Sequence, residues 1–468
     1  MIFASFEFLF LFLPLFFTVY FLTPVRLRNW PILVLSWAFY AWWRVDFLGL
    51  LVCVTAFTYA TSRGMVGAGL GTPAGKRLLL LGLVGNLGVL GYFKYANFGV
   101  NVFNQSITTA GFSSVKWEEI VLPAGLSFYV LQSISYLVDV WRGTIPVSRS
   151  LLNYAAYKAM FSQLIAGPIV RYAQIADELK HRAHTLALFG LGARRFMVGF
   201  CMKVIIADTL SPLVDAIFKL HAPTLADAWL GAIAYTLQLY FDFAGYSAMA
   251  IGLALMIGFH FPENFDHPYL AGSIQAFWNR WHITLSSFLR DYLYIPLGGN
   301  RHGETRTYVN LVLTMLIGGF WHGANWTFLA WGGWQGGMLA VHRLYRPKGS
   351  RGMPWIVGHP LTLLCVVIGW VVFRADDFGM AMRVYRGMLG LQGTGISDDL
   401  AWQLTPDRLW TVAIGVAVVY VPLIARRVGE RTGVAGQGLS LVGPFCGFLV
   451  AMVLLYSRAA VPFLYFQF

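Results

Sequence analysis

The sequence predicts an all-α polytopic membrane protein with about 11 to 12 transmembrane helices and additional re-entrant or interfacial helices. Of its 468 residues, 57% are hydrophobic, 16% are aromatic and only 12% are charged. Two soluble domains could not bury this much apolar surface. The basic residues fall in short links between long apolar segments, as is typical of multi-pass membrane proteins. We therefore expect a single integral-membrane domain over residues 1–468.

Runs of apolar residues separated by polar, basic or glycine-containing links place the spans along the chain. Residues 1–141 are expected to form the N-terminal helices, 142–345 a core with the polar motifs, and 346–468 the C-terminal helices. Some segments are too short to cross a membrane upright, which predicts hairpins or re-entrant pieces. Two amphipathic segments, 151–170 and 270–300, are expected to lie at the interface or dip into the membrane. The predicted spans are residues 2–22, 30–43, 47–61, 78–98, 120–141, 196–218, 227–257, 308–331, 333–345, 356–373, 408–425 and 439–457.

The distribution of Lys and Arg predicts the orientation of these spans. If successive links alternate in side, 24 of the 34 basic residues fall on one side and nine on the other, with Lys203 inside a span. The positive-inside rule makes the richer side cytoplasmic and places both termini outside. The first segment, 2–22, carries Glu7 and has no basic residue before it, so it is predicted to be a span rather than a cleaved secretory signal.

Several function classes are not supported by the sequence. The formal charge is +13, but the basic residues set topology and do not indicate a nucleic-acid partner. The Gly75-Lys76 pair lacks the upstream glycine of a phosphate loop, and no G-x-S-x-G or H-E-x-x-H motif is present. We expect no metal and no bound cofactor. The four cysteines stand apart inside apolar runs and indicate neither disulfides nor a metal site: Cys53, Cys201, Cys365 and Cys446.

Histidine, arginine and asparagine concentrate between residues 277 and 335, in an otherwise apolar chain. Polar groups at membrane depth are costly unless they line a cavity, so this concentration predicts an intramembrane reaction chamber. On helices turning about 100° per residue, two polar faces result, and each carries one histidine. The first face holds Asn279, His282, Ser286 and Arg290, and the second holds Thr314, Gly318, His322 and Asn325.

The two histidines are the candidate catalytic residues. His322 could be a packed histidine bonded to a neighbouring helix, but the small residues around it leave room for a substrate. Burial should favour its neutral form, which can accept a proton, so we interpret it as a general base. His282 could either orient the donor or acceptor or only bind backbone groups. The two imidazoles are expected to share one hydrated passage.

Other polar residues allow two interpretations each. Arg280 and Arg290 could bind the phosphates of a cytoplasmic donor, for which arginine is well suited, or Arg290 could form a structural ion pair with Asp291. Asp242 is an acid at membrane depth, which favours a functional role, although a structural hydrogen bond to a partner helix is equally plausible. The remaining candidates for substrate contact are Trp278, Trp321 and Asn325.

Long motifs in this chain resemble those of the membrane-bound O-acyltransferase family, in its bacterial polysaccharide branch. They include FWNRWHITLSSFLRDYLYIPLGGNR, LTMLIGGFWHGANWTFLAWGGWQG and YTLQLYFDFAGYSAMAIGL. The resemblance implies a ring of tilted helices around a central funnel or tunnel. It also implies that His322 is the hallmark catalytic residue and His282 the second one. At one position where it implies an aspartate, this chain has Ala248.

The resemblance further implies an enzyme of the bacterial inner membrane, for which the outer side that the basic residues predict for both termini is the periplasm. Its members take an acyl group from a cytoplasmic donor, here expected to be acetyl-CoA, and pass it outward, commonly to a periplasmic acetyltransferase partner. The expected function is O-acetylation of an exopolysaccharide of the alginate or cellulose kind, with Asn325 or His282 stabilising the oxyanion. The alternatives are a transporter or flippase of an acyl-bearing or lipid-linked molecule, and an assembly scaffold.

Overall fold

A computed structural model describes residues 2–345, 353–429, 434–458 and 461–464, and these residues form helices and no β-strand. The predicted all-α class is therefore confirmed. Six helices of this described part are long and apolar enough to cross a membrane by length and composition. They are Val45–Gly67, Pro73–Thr109, Leu186–Lys219, Leu225–Met256, Trp355–Arg374 and Pro406–Leu423, with shorter apolar helices at Glu7–Leu22 and Val442–Ser457.

The chain divides into two compact units. The first comprises Met1–Gly192 with Leu253–Pro262, and the second comprises Ala193–Gly252 with Glu263–Phe468. Residues 346–352, which belong to the predicted cytoplasmic link between the spans 333–345 and 356–373, lie outside the described ranges, as do residue 1 and residues 465–468 at the two termini. The helices of the first unit are α1 (Leu13–Leu22), α2 (Asn29–Ala41), α3 (Val45–Gly67), α4 (Pro73–Leu90), α5 (Ala96–Thr109), α6 (Leu126–Trp141), α7 (Leu151–Ala159), α8 (Phe161–Leu164) and α9 (Tyr172–Ile175).

The second unit carries the polar motifs. Two long helices, α10 (Leu186–Cys201) and α12 (Leu225–Met256), lie partly in each unit. Its other helices are α11 (Asp208–Lys219), α13 (Ile274–Trp278), α14 (Ile283–Leu289), α15 (Gly303–His322), α16 (Trp326–Tyr345), α17 (Trp355–Arg374), α18 (Phe378–Met388), α19 (Asp398–Ala401), α20 (Pro406–Gly429) and α21 (Val434–Ser457). Four short π-helical segments of the described residues lie next to helices of the two units: Glu7–Phe12 and Gly91–Tyr95 in the first, and Met202–Ala207 and Arg290–Tyr294 in the second.

The predicted spans 308–331 and 333–345 are wrong in their boundary. The first helix ends at His322 and the next begins at Trp326, so the chain turns between them rather than at residue 332. Gly323 is fully extended at this turn, and a Cβ atom there would lie 2.1 Å from the ring of Phe328. The turn therefore requires glycine at position 323, and hydropathy alone does not predict a turn there. The predicted start of the span at residue 120 is also six residues too early, because α6 begins at Leu126.

Helices α15 and α16 pack backbone against backbone. A Cβ atom added to Gly319 would lie 2.3 Å from the carbonyl oxygen of Phe328, and one added to Gly332 would lie 2.4 Å from that of Met315. Small residues allow this approach, which is a common way for helices to associate in membranes. The contact fixes the end of α15, and with it His322, against α16.

Replacing Gly332 by valine is therefore expected to destabilise the second unit. The new side chain meets the backbone of α15, which cannot move aside, and overpacking of this kind costs about 1–3 kcal/mol or more. Thermal unfolding of the detergent-solubilised protein, followed by size-exclusion chromatography, measures the effect. Gly337→Val on the same helix is the matched control, because nothing lies within 4 Å of its Cβ position. Equal stability of the two variants would contradict the backbone contact.

An aromatic core surrounds the site. The rings of Trp331 and Trp370 stack with centroids 5.7 Å apart, and Trp281 lies 4.9 Å from Trp370. Trp278 stands edge-on to Trp331 at 5.9 Å. All four tryptophans are buried. Such pairs prefer offset or edge-to-face geometry, so they hold α13, α16 and α17 at defined positions beside the two histidines.

Candidate active site

Both candidate histidines lie in the second unit, and both are buried. His322 is the last residue of α15 and is 5% exposed, whereas His282 precedes α14 and is 1% exposed. The predicted continuous face of Asn279, His282, Ser286 and Arg290 is wrong, because α13 ends at Trp278 and α14 starts at Ile283. Between them the backbone of His282 is left-handed, with φ 42° and ψ 55°. His282 therefore does not line the cavity that the other three residues line.

His282 lies among aromatic rings and one amide. Its Nδ1 atom is 3.0 Å from Oδ1 of Asn264. Phe243 of α12 packs edge-on against its ring at a centroid distance of 4.6 Å, and the Phe265 and Trp321 rings each lie at 6.5 Å. Burial lowers the pKa of His282 to about 3. The imidazole is therefore neutral at physiological pH and can accept a proton or a hydrogen bond.

His322 lies in an aromatic cage of its own. Its ring is edge-on to Trp331 at 5.2 Å and to Phe373 at 5.4 Å, and it lies 5.1 Å from the ring of Trp321. Trp321 thus contacts both histidines. The structure therefore brings together the two catalytic candidates and Trp321, from segments about 40 residues apart in the chain.

A cavity of about 690 Å³ opens between α13, α14, α15 and α16. Neither His282 nor His322 is among its lining residues, but Trp331 contacts both Trp278 on the cavity wall and His322. The Nε1 atom of Trp278 donates to Oε1 of Gln335 at 3.3 Å, which fixes this wall. The lining residues are Gln275, Trp278, Asn279, Ile283, Ser286, Ser287, Leu289, Arg290, Tyr294, Leu311, Thr314, Met315, Leu339, His342 and Arg343.

The other predicted site residues occupy different places. Arg290 lines the cavity, and its Nε atom lies 2.7 Å from Oδ1 of Asp291. Both interpretations of Arg290, as a donor-binding residue and as part of an ion pair, therefore have support. Arg280 is partly exposed and does not line the cavity. The prediction that Asn325 shares a helical face with His322 is wrong, because the helix ends before it. Its Nδ2 atom donates to the carbonyl of Asp376 at 2.7 Å, and its Oδ1 atom accepts from the amide of Thr327.

Asp242 is part of a buried ion cluster. Lys203 Nζ lies 2.7 Å from Asp242 Oδ1 and 2.5 Å from Asp208 Oδ1, and the side chains are 4%, 1% and 8% exposed. The other carboxylate oxygen of Asp242 accepts from the amide of Leu464 at 2.9 Å. This arrangement favours the structural interpretation of Asp242. The sequence signal for Lys203 was its position inside a predicted span, where an ionised side chain requires a partner.

Comparisons with known proteins identify relatives of this chain. The profile of the membrane-bound O-acyltransferase family matches residues 144–350, which include both histidines. Over the full length of both proteins, the chain is 47% identical to a probable alginate O-acetylase of Azotobacter vinelandii. It is 50% identical to that of Pseudomonas aeruginosa, across 90% of this chain and 81% of the relative. A peptidoglycan O-acetyltransferase of Helicobacter pylori is 38% identical across 83% of this chain and 80% of the relative.

Proposed function

The chain belongs to the membrane-bound O-acyltransferase family and is a multi-pass membrane acyltransferase, and from this premise we propose that it O-acetylates an exopolysaccharide. In this proposal acetyl-CoA binds from the cytoplasm, and the acetyl group passes across the inner membrane. The observation that carries the proposal is the buried His322, which ring contacts through Trp331 and Trp278 link to a cavity of about 690 Å³, in a chain related throughout its length to a probable alginate O-acetylase. Family membership favours bond chemistry over the transporter alternative.

The donor site in this proposal is the 690 Å³ cavity. It combines the guanidinium groups of Arg290 and Arg343 with an apolar wall formed partly by Leu311 and Met315. Arginine binds phosphate groups well, and the apolar wall suits the pantetheine arm. The thioester would reach His322 past Trp278 and Trp331, whose rings stand between the cavity and the imidazole. Movement of these two side chains would complete the passage that the sequence predicts.

The reaction proposed at His322 is acyl transfer to a hydroxyl group. The imidazole takes the hydroxyl proton while the hydroxyl oxygen bonds to the thioester carbonyl carbon. The carbon–sulfur bond then breaks, and the CoA thiolate takes the proton back from the imidazolium. The surrounding Trp331 and Phe373 exclude water, which limits hydrolysis of the thioester.

The acceptor is assigned from the relatives. The relatives of this chain include probable alginate O-acetylases and a peptidoglycan O-acetyltransferase. We therefore propose an alginate-like or cellulose-like polymer as the final product, reached through a periplasmic acetyltransferase partner. The same proposal places both termini in the periplasm, because 24 of the 34 basic residues then face the cytoplasm.

Replacing Arg343 by alanine is expected to raise the KM for acetyl-CoA roughly 10-fold, since hydrogen bonds to charged groups contribute about 1.5–3 kcal/mol. The value of kcat should change little, because the arginine is on the cavity wall and not at the histidines. Steady-state kinetics at several salt concentrations measures this, and added salt should reduce the difference. Lys76→Ala removes the same charge from an exposed site on α4 and is the control. An unchanged KM would remove Arg343 from the donor site.

The proposed function is tested with purified protein in nanodiscs. Acetyl-CoA and alginate fragments are supplied with and without the periplasmic partner, and release of the CoA thiol and appearance of acetyl ester are measured together. We expect CoA release only when an acceptor is present, with one ester formed per thiol. Movement of label across the bilayer without thiol release would support the transporter alternative instead.

A further inference from the structure

Asn264, in the segment that follows α12, forms hydrogen bonds with the chain at and after His282. Asn264 is fully buried, and its backbone oxygen accepts from the amide of Ile283 at 2.9 Å. Its side-chain oxygen accepts from Thr284 twice, from Oγ1 at 2.8 Å and from the amide at 3.3 Å. The same oxygen lies 3.0 Å from Nδ1 of His282. One asparagine therefore contacts three consecutive residues through two oxygens.

The chemistry of these partners fixes which way the Asn264 amide points. The backbone N–H of Thr284 can only donate, so the atom that faces it must be the amide oxygen and not the NH₂ group. The NH₂ group is then on the other side, where it donates to Oγ of Ser247 at 3.0 Å. An amide oxygen only accepts, so the Nδ1 atom of His282 that faces it must carry a hydrogen.

From this network we infer that Asn264 is a positioning residue that holds His282 as the Nδ1–H tautomer, so that the Nε2 atom can accept a hydrogen bond but cannot donate one. The inference rests on the proposed function and sharpens it. A neutral His282 in this tautomer cannot stabilise an oxyanion, which needs a donor. It can instead accept the hydrogen bond of an acceptor hydroxyl and orient that hydroxyl toward the thioester.

The backbone of His282 supports the same assignment. A non-glycine residue in the left-handed region costs about 1–2 kcal/mol and requires surrounding contacts to hold it there. The contacts of Asn264 with His282, Ile283 and Thr284 supply them. Phe243 of α12, Phe265, and Trp321 of α15 pack against the imidazole, and none of these three side chains is charged. Burial is the cause of the lowered pKa of His282.

The first test reads the tautomer directly. Protein labelled with ¹⁵N-histidine is studied in lipid by solid-state NMR, and the His282 signals are assigned by their absence from a His282→Gln sample. We expect a pyrrole-like shift at Nδ1 and a pyridine-like shift at Nε2, and in Asn264→Ala a mixture of the two tautomers. A pyridine-like Nδ1 in the unmodified protein would overturn the inference. This readout does not depend on acetyl transfer, so its failure is distinct from failure of the proposed function.

The second test separates positioning from structure by kinetics. Asn264→Ala is expected to lower kcat on the order of 10–100-fold, by analogy with the loss of a hydrogen-bond partner that orients a metal-bound histidine, with the KM for acetyl-CoA little changed. Asn264→Asp keeps an acceptor at Nδ1 and should restore part of the rate. Its carboxylate also raises the pKa of His282, so the acid limb of the pH–rate profile should move to higher pH.

The matched control is Asn86→Ala in the first unit. Asn86 is also buried and donates to Thr58 Oγ1 at 3.1 Å and to the carbonyl of Gly82 at 2.8 Å, so its loss removes similar hydrogen bonds. We expect this variant to yield less folded protein but an unchanged rate per folded molecule and an unchanged pH profile. If Asn264→Ala behaves in the same way, Asn264 is structural and the inference is wrong.

Discussion

Replacing His322 by alanine is expected to lower acetyl transfer on the order of 10²–10⁴-fold, the usual effect of losing a positioned general base. The imidazole sits at the end of α15 in a cage formed by Trp321, Trp331 and Phe373, where water cannot easily take its place. His322→Gln keeps a polar group of similar size without a base and should be almost as impaired. The measurements are CoA release by the purified protein and acetyl content of the polymer in cells, both at equal protein level.

A second buried histidine provides the control for His322. His359 of α17 is 6% exposed and bonds the carbonyl of Ala271 at 3.2 Å and the hydroxyl of Tyr420 at 3.0 Å. His359→Gln should lower stability and leave the rate per folded molecule close to that of the unmodified protein. Full polymer acetylation by His322→Ala at normal protein level would exclude His322 from the mechanism.

Replacing Lys203 by alanine is expected to destabilise the second unit by about 3–5 kcal/mol, the cost of leaving buried charges without their partner. Both Asp208 and Asp242 would lose the ammonium group that lies between them, and they would then face each other as unneutralised carboxylates. Expression level and thermal unfolding in detergent measure this loss. Because the cluster also holds the amide of Leu464, limited proteolysis of the C-terminal segment should become faster.

Two further variants test whether the effect of Lys203→Ala comes from the buried ion cluster. Combining Lys203→Met with Asp208→Asn and Asp242→Asn removes all three charges and should recover much of the stability, since neutral replacements of buried ion clusters are often tolerated. Lys219→Ala removes an exposed lysine at the end of α11 and should have little effect. If Lys203→Ala is as stable as Lys219→Ala, the ion cluster does not stabilise the fold.

Composition and hydropathy sufficed for the fold class, because burial in a membrane requires long apolar helices whatever their arrangement. The sequence also identified the two histidines as candidates, since an ionisable group inside an apolar segment is energetically costly and by default indicates a functional site. The sequence did not show where the helices end and the chain turns. The helical period of the sequence continues through Asn279–His282, and only the structure shows that the backbone at His282 is left-handed.

The residues missed from the sequence share one property, which is that each has a partner distant in the chain. Asn264 precedes His282 by 18 residues, and Lys203 precedes Asp242 by 39. No local pattern around the single asparagine, or around the lysine in its apolar run, identifies that distant partner. The assignment of Asp242 to a structural cluster rather than to substrate depends on the same long-range contact.

The sequence by itself therefore determined that this chain is a helical membrane protein with two exceptional histidines and a family relationship carried by long motifs. Only the tertiary structure decided that Trp321 contacts both imidazoles, that Asn325 is engaged by backbone groups, and that Asn264 faces Nδ1 of His282. The physical reason is that hydropathy and helical period are local properties of the chain. Hydrogen-bond direction and ring contacts instead depend on where the helices end and how closely they pack.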